Sequence, residues 1–248
     1  MIDSLTINGN AVELRKKMGV DAYSPLDIFA LVSNEKDLTI IFYPMTQNIS
    51  GMCVREKNNR VIAVNSTSSY GRQRFTLAHE LCHLYFHKTL KKVVCGKNFN
   101  STKDPLEKEA DSFASYFLAP HEALRHFVNE NFKKKSLDIS ELVQIEQYFG
   151  LSREAMLYRL KLDGYLITAK TEEVKREVRK SALRLGYDDK LYVPTPEKKQ
   201  HEVFGKYIQL AEELYEKEKI SNGKYEELLM DAFRADLVYG MENEDCFD

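Results

Sequence analysis

His79, Glu80 and His83 are the residues of this chain best equipped for chemistry, and their spacing says which chemistry. They lie in His79-Glu80-Leu81-Cys82-His83, which fits H-E-x-x-H, a pattern that binds zinc and equips it for peptide hydrolysis. On a helix, side chains four positions apart leave the same face, so His79 and His83 can both reach one metal ion. Glu80 lies between them, where it can take a proton from water and return it to a leaving amine.

Catalytic zinc usually has three protein ligands and one open position, so a further donor is expected from another segment. The stretch from Asp104 to Pro120 is the best source, with Asp104 as a cap, Pro105 at a first helical position and Pro120 at the end. It offers two glutamates. Glu107 shares a helix face with Ala110, Asp111, Ala114 and Leu118. The alanines permit a close approach to the histidine helix, and Asp111 can accept a bond from a ligand histidine. Glu109 shares its face with the bulkier Phe113 and Tyr116. Helix periodicity favours Glu107 and leaves Glu109 open. His87 continues the histidine row, where it either orients substrate, backs a ligand, or simply suits a helix C-terminus. Arg72 and Arg74 either steer a peptide carboxylate or only aid solubility. His121, His126 and His201 have no ligand spacing to the motif and are expected at the surface.

These residues need elements to hold them. Gly71 to His87 reads as a helix, with Phe75, Leu77, Ala78, Leu81, Leu84 and Tyr85 as the apolar positions of a largely buried one. Ser66 to Ser69 supplies capping residues before it. Upstream, Ala11 to Met18 and Pro25 to Val32 read as short amphipathic helices, the second capped by Ser24. Leu38 to Tyr43 is a strand ended by Pro44. Gly51 to Arg55 and Arg60 to Asn65 form a hairpin across Asn58-Asn59.

Downstream, Ser140 to Phe149, Gly150-Leu151 and Ser152 to Leu162 read as helix, tight turn, helix, with a glycine stop and a serine cap. The outline is that of a DNA-binding helix-turn-helix. Ala155, Met156, Leu157, Leu160 and Leu162 instead favour packing, and no dense basic face accompanies them. Thr171 to Leu185 reads as one charged helix, and Val193-Pro194-Thr195-Pro196 as a boundary. Glu197 to Lys219 and Lys224 to Tyr239 form a helical hairpin about Asn222-Gly223, with Val203, Tyr207, Leu210, Ala211 and Leu214 as its apolar stripe. The expected fold is α+β and mainly helical: a small three-stranded antiparallel or mixed sheet packed on a helical H-E-x-x-H core. That core occupies residues 1–168, including the helix-turn-helix-like segment near 138–165. Residues 169–248 form a helical C-terminal extension, a possible partner-docking module.

A chain of 248 residues can bury a substantial core. Its formal net charge of -2 and pI near 6.3 give no electrostatic case for nucleic acid or an anionic membrane. Cys53, Cys82, Cys95 and Cys246 contain no C-x-x-C pair and read as free thiols in a reducing compartment. Met1-Ile2-Asp3-Ser4 has no signal pattern and no stretch approaches a membrane-spanning length, so a cytoplasmic protein is expected.

The run Arg74-Phe75-Thr76-Leu77-Ala78-His79-Glu80-Leu81-Cys82-His83-Leu84, followed by Glu107 to Ala114 and Leu118-Ala119-Pro120, resembles the ImmA/IrrE family of metallopeptidases. Members typically read R-F-T-x-A-H-E-x-G-H, then E-x-x-A-[ND]-x-F-A and a terminal L-x-P. The resemblance covers roughly residues 25–165. It implies a Zn2+ ion bound by His79, His83 and a glutamate, with Glu80 as general base. It also implies a protein substrate, a helix-turn-helix repressor that is cut or otherwise inactivated to switch on mobile-element or stress genes. Cys82 departs from the family's usual glycine; helix geometry points it about 100° away from His83, as a small apolar filler. Two other readings stay open: a zinc-containing protein that controls a repressor or antitoxin by docking alone, and a DNA-binding regulator built on Ser140 to Leu162.

Overall fold

The computed structural model describes residues 3–57, 59–96, 104–134, 136–169 and 171–240; Asn58 of the expected hairpin turn and Cys246 lie outside them. The chain begins with α1 (Ser4–Lys17) and α2 (Ile28–Ser33), then β1 (Leu38–Tyr43), β2 (Ile49–Glu56) and β3 (Asn59–Asn65). Next come α3 (Tyr70–Tyr85), β4 (Lys92–Gly96), α4 (Pro105–Leu118), α5 (His121–Asn131), β5 (Ser136–Leu137), α6 (Ile139–Phe149) and α7 (Arg153–Leu162). The remainder comprises β6 (Leu166–Ile167), α8 (Thr171–Lys175), α9 (Val178–Arg184), two single 3-10 turns, β7 (Glu202–Gly205), α10 (Lys206–Glu216), α11 (Asn222–Asp231) and α12 (Ala235–Tyr239). The class is α+β and mainly helical, as expected.

The sheet is larger than the three strands expected. Five strands run in the order β4-β2-β3-β1-β7, and β5 pairs with β6 in a separate two-stranded ladder. β1 and β3 are parallel, with Ile40 opposite Ile62. β2 lies antiparallel between β3 and β4, setting Cys53 opposite Ile62 and Gly51 opposite Cys95. Leu38, Ile40 and Phe42 alternate along β1 into the core, the period-2 pattern of a strand with a buried face.

α3 packs on β2 and β3 on one side and on α4 on the other. Nearly every residue from Gly71 to Leu84 is buried, so this helix is enclosed on all sides. Gly51 permits the close approach of sheet and helix: a Cβ there would stand 2.5 Å from Thr76 Cγ2 and 2.9 Å from the Ala63 carbonyl oxygen. Arg74 locks the helix from behind by donating to the carbonyls of Gly150 at 2.9 Å and Leu26 at 2.7 Å. α4 presents the fully buried Ala110 and Ala114, and its start is capped by Asp104, which accepts from the Leu106 N–H. α1 packs on α4 as well. From it the fully buried Arg15 guanidinium donates to the carbonyls of Phe117, Asp21 and Ser24.

α6 and α7 bury Leu142, Ile145, Phe149, Ala155, Met156 and Leu160 in the same core. Gly150 caps α6, and Ser152 caps α7. The start of α6 carries a capping box that sequence reading did not single out, with Asp138 and Glu141 bonding reciprocally. At its end, fully buried Glu146 pairs with Arg153 and accepts from the Tyr192 hydroxyl at 2.8 Å.

Several expected boundaries shift. Asp27, not Ser24, caps α2 through the N–H groups of Phe29 and Ala30. Ser69 occupies the capping position of α3 without making a side-chain cap bond. Thr171 to Leu185 divides into α8 and α9, because Glu177 takes a left-handed conformation at φ 46°. The expected helix from Glu197 contains strand β7, where Val203 faces Ile41. Gly205 ends that strand at φ 82°, and a Cβ on it would meet the Leu38 carbonyl oxygen at 2.4 Å. Asn222 and Gly223 belong to the first turn of α11 behind the Ser221 cap, so the hairpin turn lies earlier. No helix among the described residues is long and apolar enough to cross a membrane.

Candidate metal centre

α3 carries both motif histidines into the gap against α4, and their Nε2 atoms stand 3.1 Å apart. Glu107, in the first turn of α4, brings Oε2 to 3.4 Å from His79 Nε2 and Oε1 to 3.3 Å from His83 Nε2. The opposite ring nitrogens are engaged elsewhere. His79 Nδ1 donates to Asp111 Oδ1 at 3.0 Å, which leaves Nε2 facing inward toward Glu107. His83 Nδ1 pairs with His87 Nδ1 at 2.8 Å, and His87 Nε2 lies 3.5 Å from Glu109 Oε1. Both glutamates of α4 are therefore used, neither as a solvated charge: Glu107 faces the convergent nitrogens and Glu109 stands behind His87.

The donor set fits a divalent transition metal. Bonds of about 2.0–2.2 Å at tetrahedral angles place donors about 3.3–3.6 Å apart, close to the spacings seen. Two imidazole nitrogens and a carboxylate also suit zinc chemically.

The charges here are tightly set. Burial works against an imidazolium at His79, yet hydrogen bonds to Asp111 and Glu107 outweigh it and raise its pKa to about 10. Burial also opposes the charge of Glu107, but its bonds to His79 and His83 hold the carboxyl well below the usual carboxylate range. Without metal, a proton on His79 therefore neutralises this carboxylate. Burial, and then the charge of His83, lowers the pKa of His87.

Glu80 is fully buried, and burial pushes its pKa up against the opposing charge of His79. Its carboxylate oxygens find no conventional hydrogen-bond donor among the described residues; the weakly donating thiols of Cys53 and Cys95 lie against them. Burial, followed by the Glu80 charge, raises the pKa of both thiols.

Cys95 is the site residue that sequence reading missed. Its Sγ is 3.9 Å from Glu107 Oε1, and one donor atom each from His79, His83, Cys95 and Glu107 lie within 4.8 Å of one another. The only local signal was a cysteine in the Val93-Val94 run between the two motifs. Cys82 instead clusters with His87 and Glu109. Arg74 is structural, and His126 and His201 are exposed. His121 is half-exposed and bonds Asp163 through Nδ1 at 2.9 Å.

An open groove of about 1210 Å³ runs past these groups. His79, Glu107 and Arg72 border it beside Val94 and Gly96 of β4, and Val178, Arg179 and Tyr192 border it farther along the chain.

A histidine pair on one helix facing a glutamate on a second, beside a mixed sheet, defines a metallopeptidase-type domain. The chain belongs to the IrrE N-terminal-like domain family of peptidases, whose model matches residues 34–161. It is similar to "Uncharacterized immunity region protein 2" of Bacillus phage phi105, with 24% identity over 110 residues that cover 44% of this chain and 70% of that protein.

Proposed function

We propose that this protein is a zinc-dependent endopeptidase that cleaves a helix-turn-helix (Xre-type) repressor or antitoxin and so releases mobile-element or stress genes. The convergence of His79 Nε2, His83 Nε2 and the Glu107 carboxylate, with Glu80 on the same helix turn, carries this reading. Membership of a peptidase family supports the reaction class, and the phage immunity-region relative supports a repressor-linked substrate.

His79, His83 and Glu107 hold the ion; Asp111 and His87 orient the two imidazoles from behind. When bound, zinc supplies Lewis-acid chemistry, polarising a carbonyl and making water nucleophilic near neutral pH. Glu80 takes the proton from the attacking water and returns it to the leaving amine. Its burial-raised pKa places this carboxylate nearer the range where a base also serves as an acid. Edge strand β4 borders the groove, so an extended peptide can add to the sheet there through backbone bonds. That mode reads backbone more than sequence. Choice of target falls to other surfaces, and residues 169–248 are the proposed docking module, since Val178, Arg179 and Tyr192 already wall the groove.

The test is incubation of the purified chain with a helix-turn-helix repressor encoded beside it. Fragments should appear with wild-type protein and vanish with Glu80→Gln, which should keep stoichiometric zinc. Undiminished cleavage by that variant would refute the role of Glu80. Metal-loaded protein that binds the repressor without ever cutting it would favour control by docking.

A further inference from the structure

We propose that the Cys95 thiolate is the fourth donor to the metal held by His79, His83 and Glu107, and that it keeps the resting protein latent by standing where the hydrolytic water must go. The inference rests on the metal-site reading above and adds one donor to it.

Distance supports the assignment. Cys95 Sγ belongs to the same group of atoms within 4.8 Å, at 3.9 Å from Glu107 Oε1. A zinc-bound sulfur at about 2.3 Å and an oxygen at about 2.1 Å stand about 3.6 Å apart at a tetrahedral angle. Position supports it independently. The same thiol lies against the Glu80 carboxylate, so it touches both the base and the metal donors. A water that is to be deprotonated by Glu80 and activated by the metal needs that place.

The strand fixes Cys95 there. It is 2% exposed and paired opposite Gly51, whose absent side chain leaves room beside Glu80, while its neighbour Val94 points outward at 49% exposure. Ser50 Oγ donates to the Cys95 carbonyl at 3.2 Å. A thiol that coordinates a divalent cation does so as the thiolate, its proton leaving to solvent. Two nitrogens, one oxygen and one sulfur make a closed tetrahedral site, whereas a working hydrolytic site keeps one position open. A working site therefore requires the Cys95 sulfur to leave the ion. Its strand, β4, is an edge held by β2 alone among the described residues, on the side where a peptide would add.

The experiment loads the whole protein with cobalt(II) and records its near-ultraviolet spectrum. A sulfur-to-cobalt charge-transfer band is expected, lost in Cys95→Ser and kept in Cys53→Ser. X-ray absorption of the unmodified zinc protein should show one sulfur at about 2.3 Å, a readout that needs no variant. Stoichiometric metal with only nitrogen and oxygen neighbours, or a band that survives in Cys95→Ser, overturns the Cys95 assignment and leaves the three-residue site standing. Failure of any divalent ion to bind overturns both. Zinc-loaded Cys95→Ser should cleave repressor about tenfold faster than the parent or more. Equal or slower cleavage by a variant with the parent's far-ultraviolet spectrum overturns the latency.

Discussion

The nitrogen of His79 that faces Glu107 is governed by the one that faces away. Asp111 accepts from Nδ1, fixing both the tautomer and the tilt of the ring. Asp111→Asn should therefore weaken metal affinity by about 10–100-fold, measured by competition with a chelator. Unchanged affinity would mean that packing alone orients the ring. Protonation gives a second prediction. In metal-free protein the His79 pKa rises from 6.5 to about 10, so the folded state binds the proton more tightly than the unfolded chain. That contribution to stability is complete below about 6.5 and is lost as pH rises through about 10. Thermal midpoints of chelated protein should fall across that window, while metal-loaded protein, carrying no proton on Nε2, should lack the slope. Parallel profiles would refute the linkage. The histidine pair was legible in the sequence because helix period is local. Cys95 was not, because it reaches the site through the pairing of β4 with β2, which no nearby residue announces.

Elements divide along the same line between local and distant causes. β1 was legible to the residue, since a β-branched and aromatic run ends on Pro44. α4 was legible from its Asp104 cap and Pro105. β7 was not: Val203 with Tyr207, Leu210 and Leu214 mimics a helical stripe, and the strand exists because β1 offers an edge to pair with. The break at Glu177 also hides, since no glycine or proline lies between Thr171 and Leu185 to announce it; Lys180 and Arg184 pair with its carboxylate. Contact between α3 and the sheet depends on Gly51, whose added Cβ would collide with Thr76 and the Ala63 carbonyl. Gly51→Ala should cost about 1–3 kcal/mol in denaturant unfolding. Thr76→Ala in the same chain should recover part of the loss, and strictly additive effects would show that the two positions do not touch.

Across the whole molecule, the five-stranded sheet is closed on its β1 side by residues 202–205, far from β1 in the chain. A chain ending at residue 200 should expose the backbone of β1, melt at lower temperature and associate in size-exclusion runs, because an unpaired edge invites other strands. A monomer with an unchanged midpoint would show that β7 is dispensable.

Arg15 places a lower limit on how short a working version of this protein can be. Its guanidinium reaches across to the last turn of the helix that bears Glu107. A chain begun after Lys17 would retain every letter of both motifs yet lose the Arg15 tie to that turn, leaving Arg159 to hold it through the Ala119 carbonyl, a loss introduced about ninety residues upstream of the carboxylate.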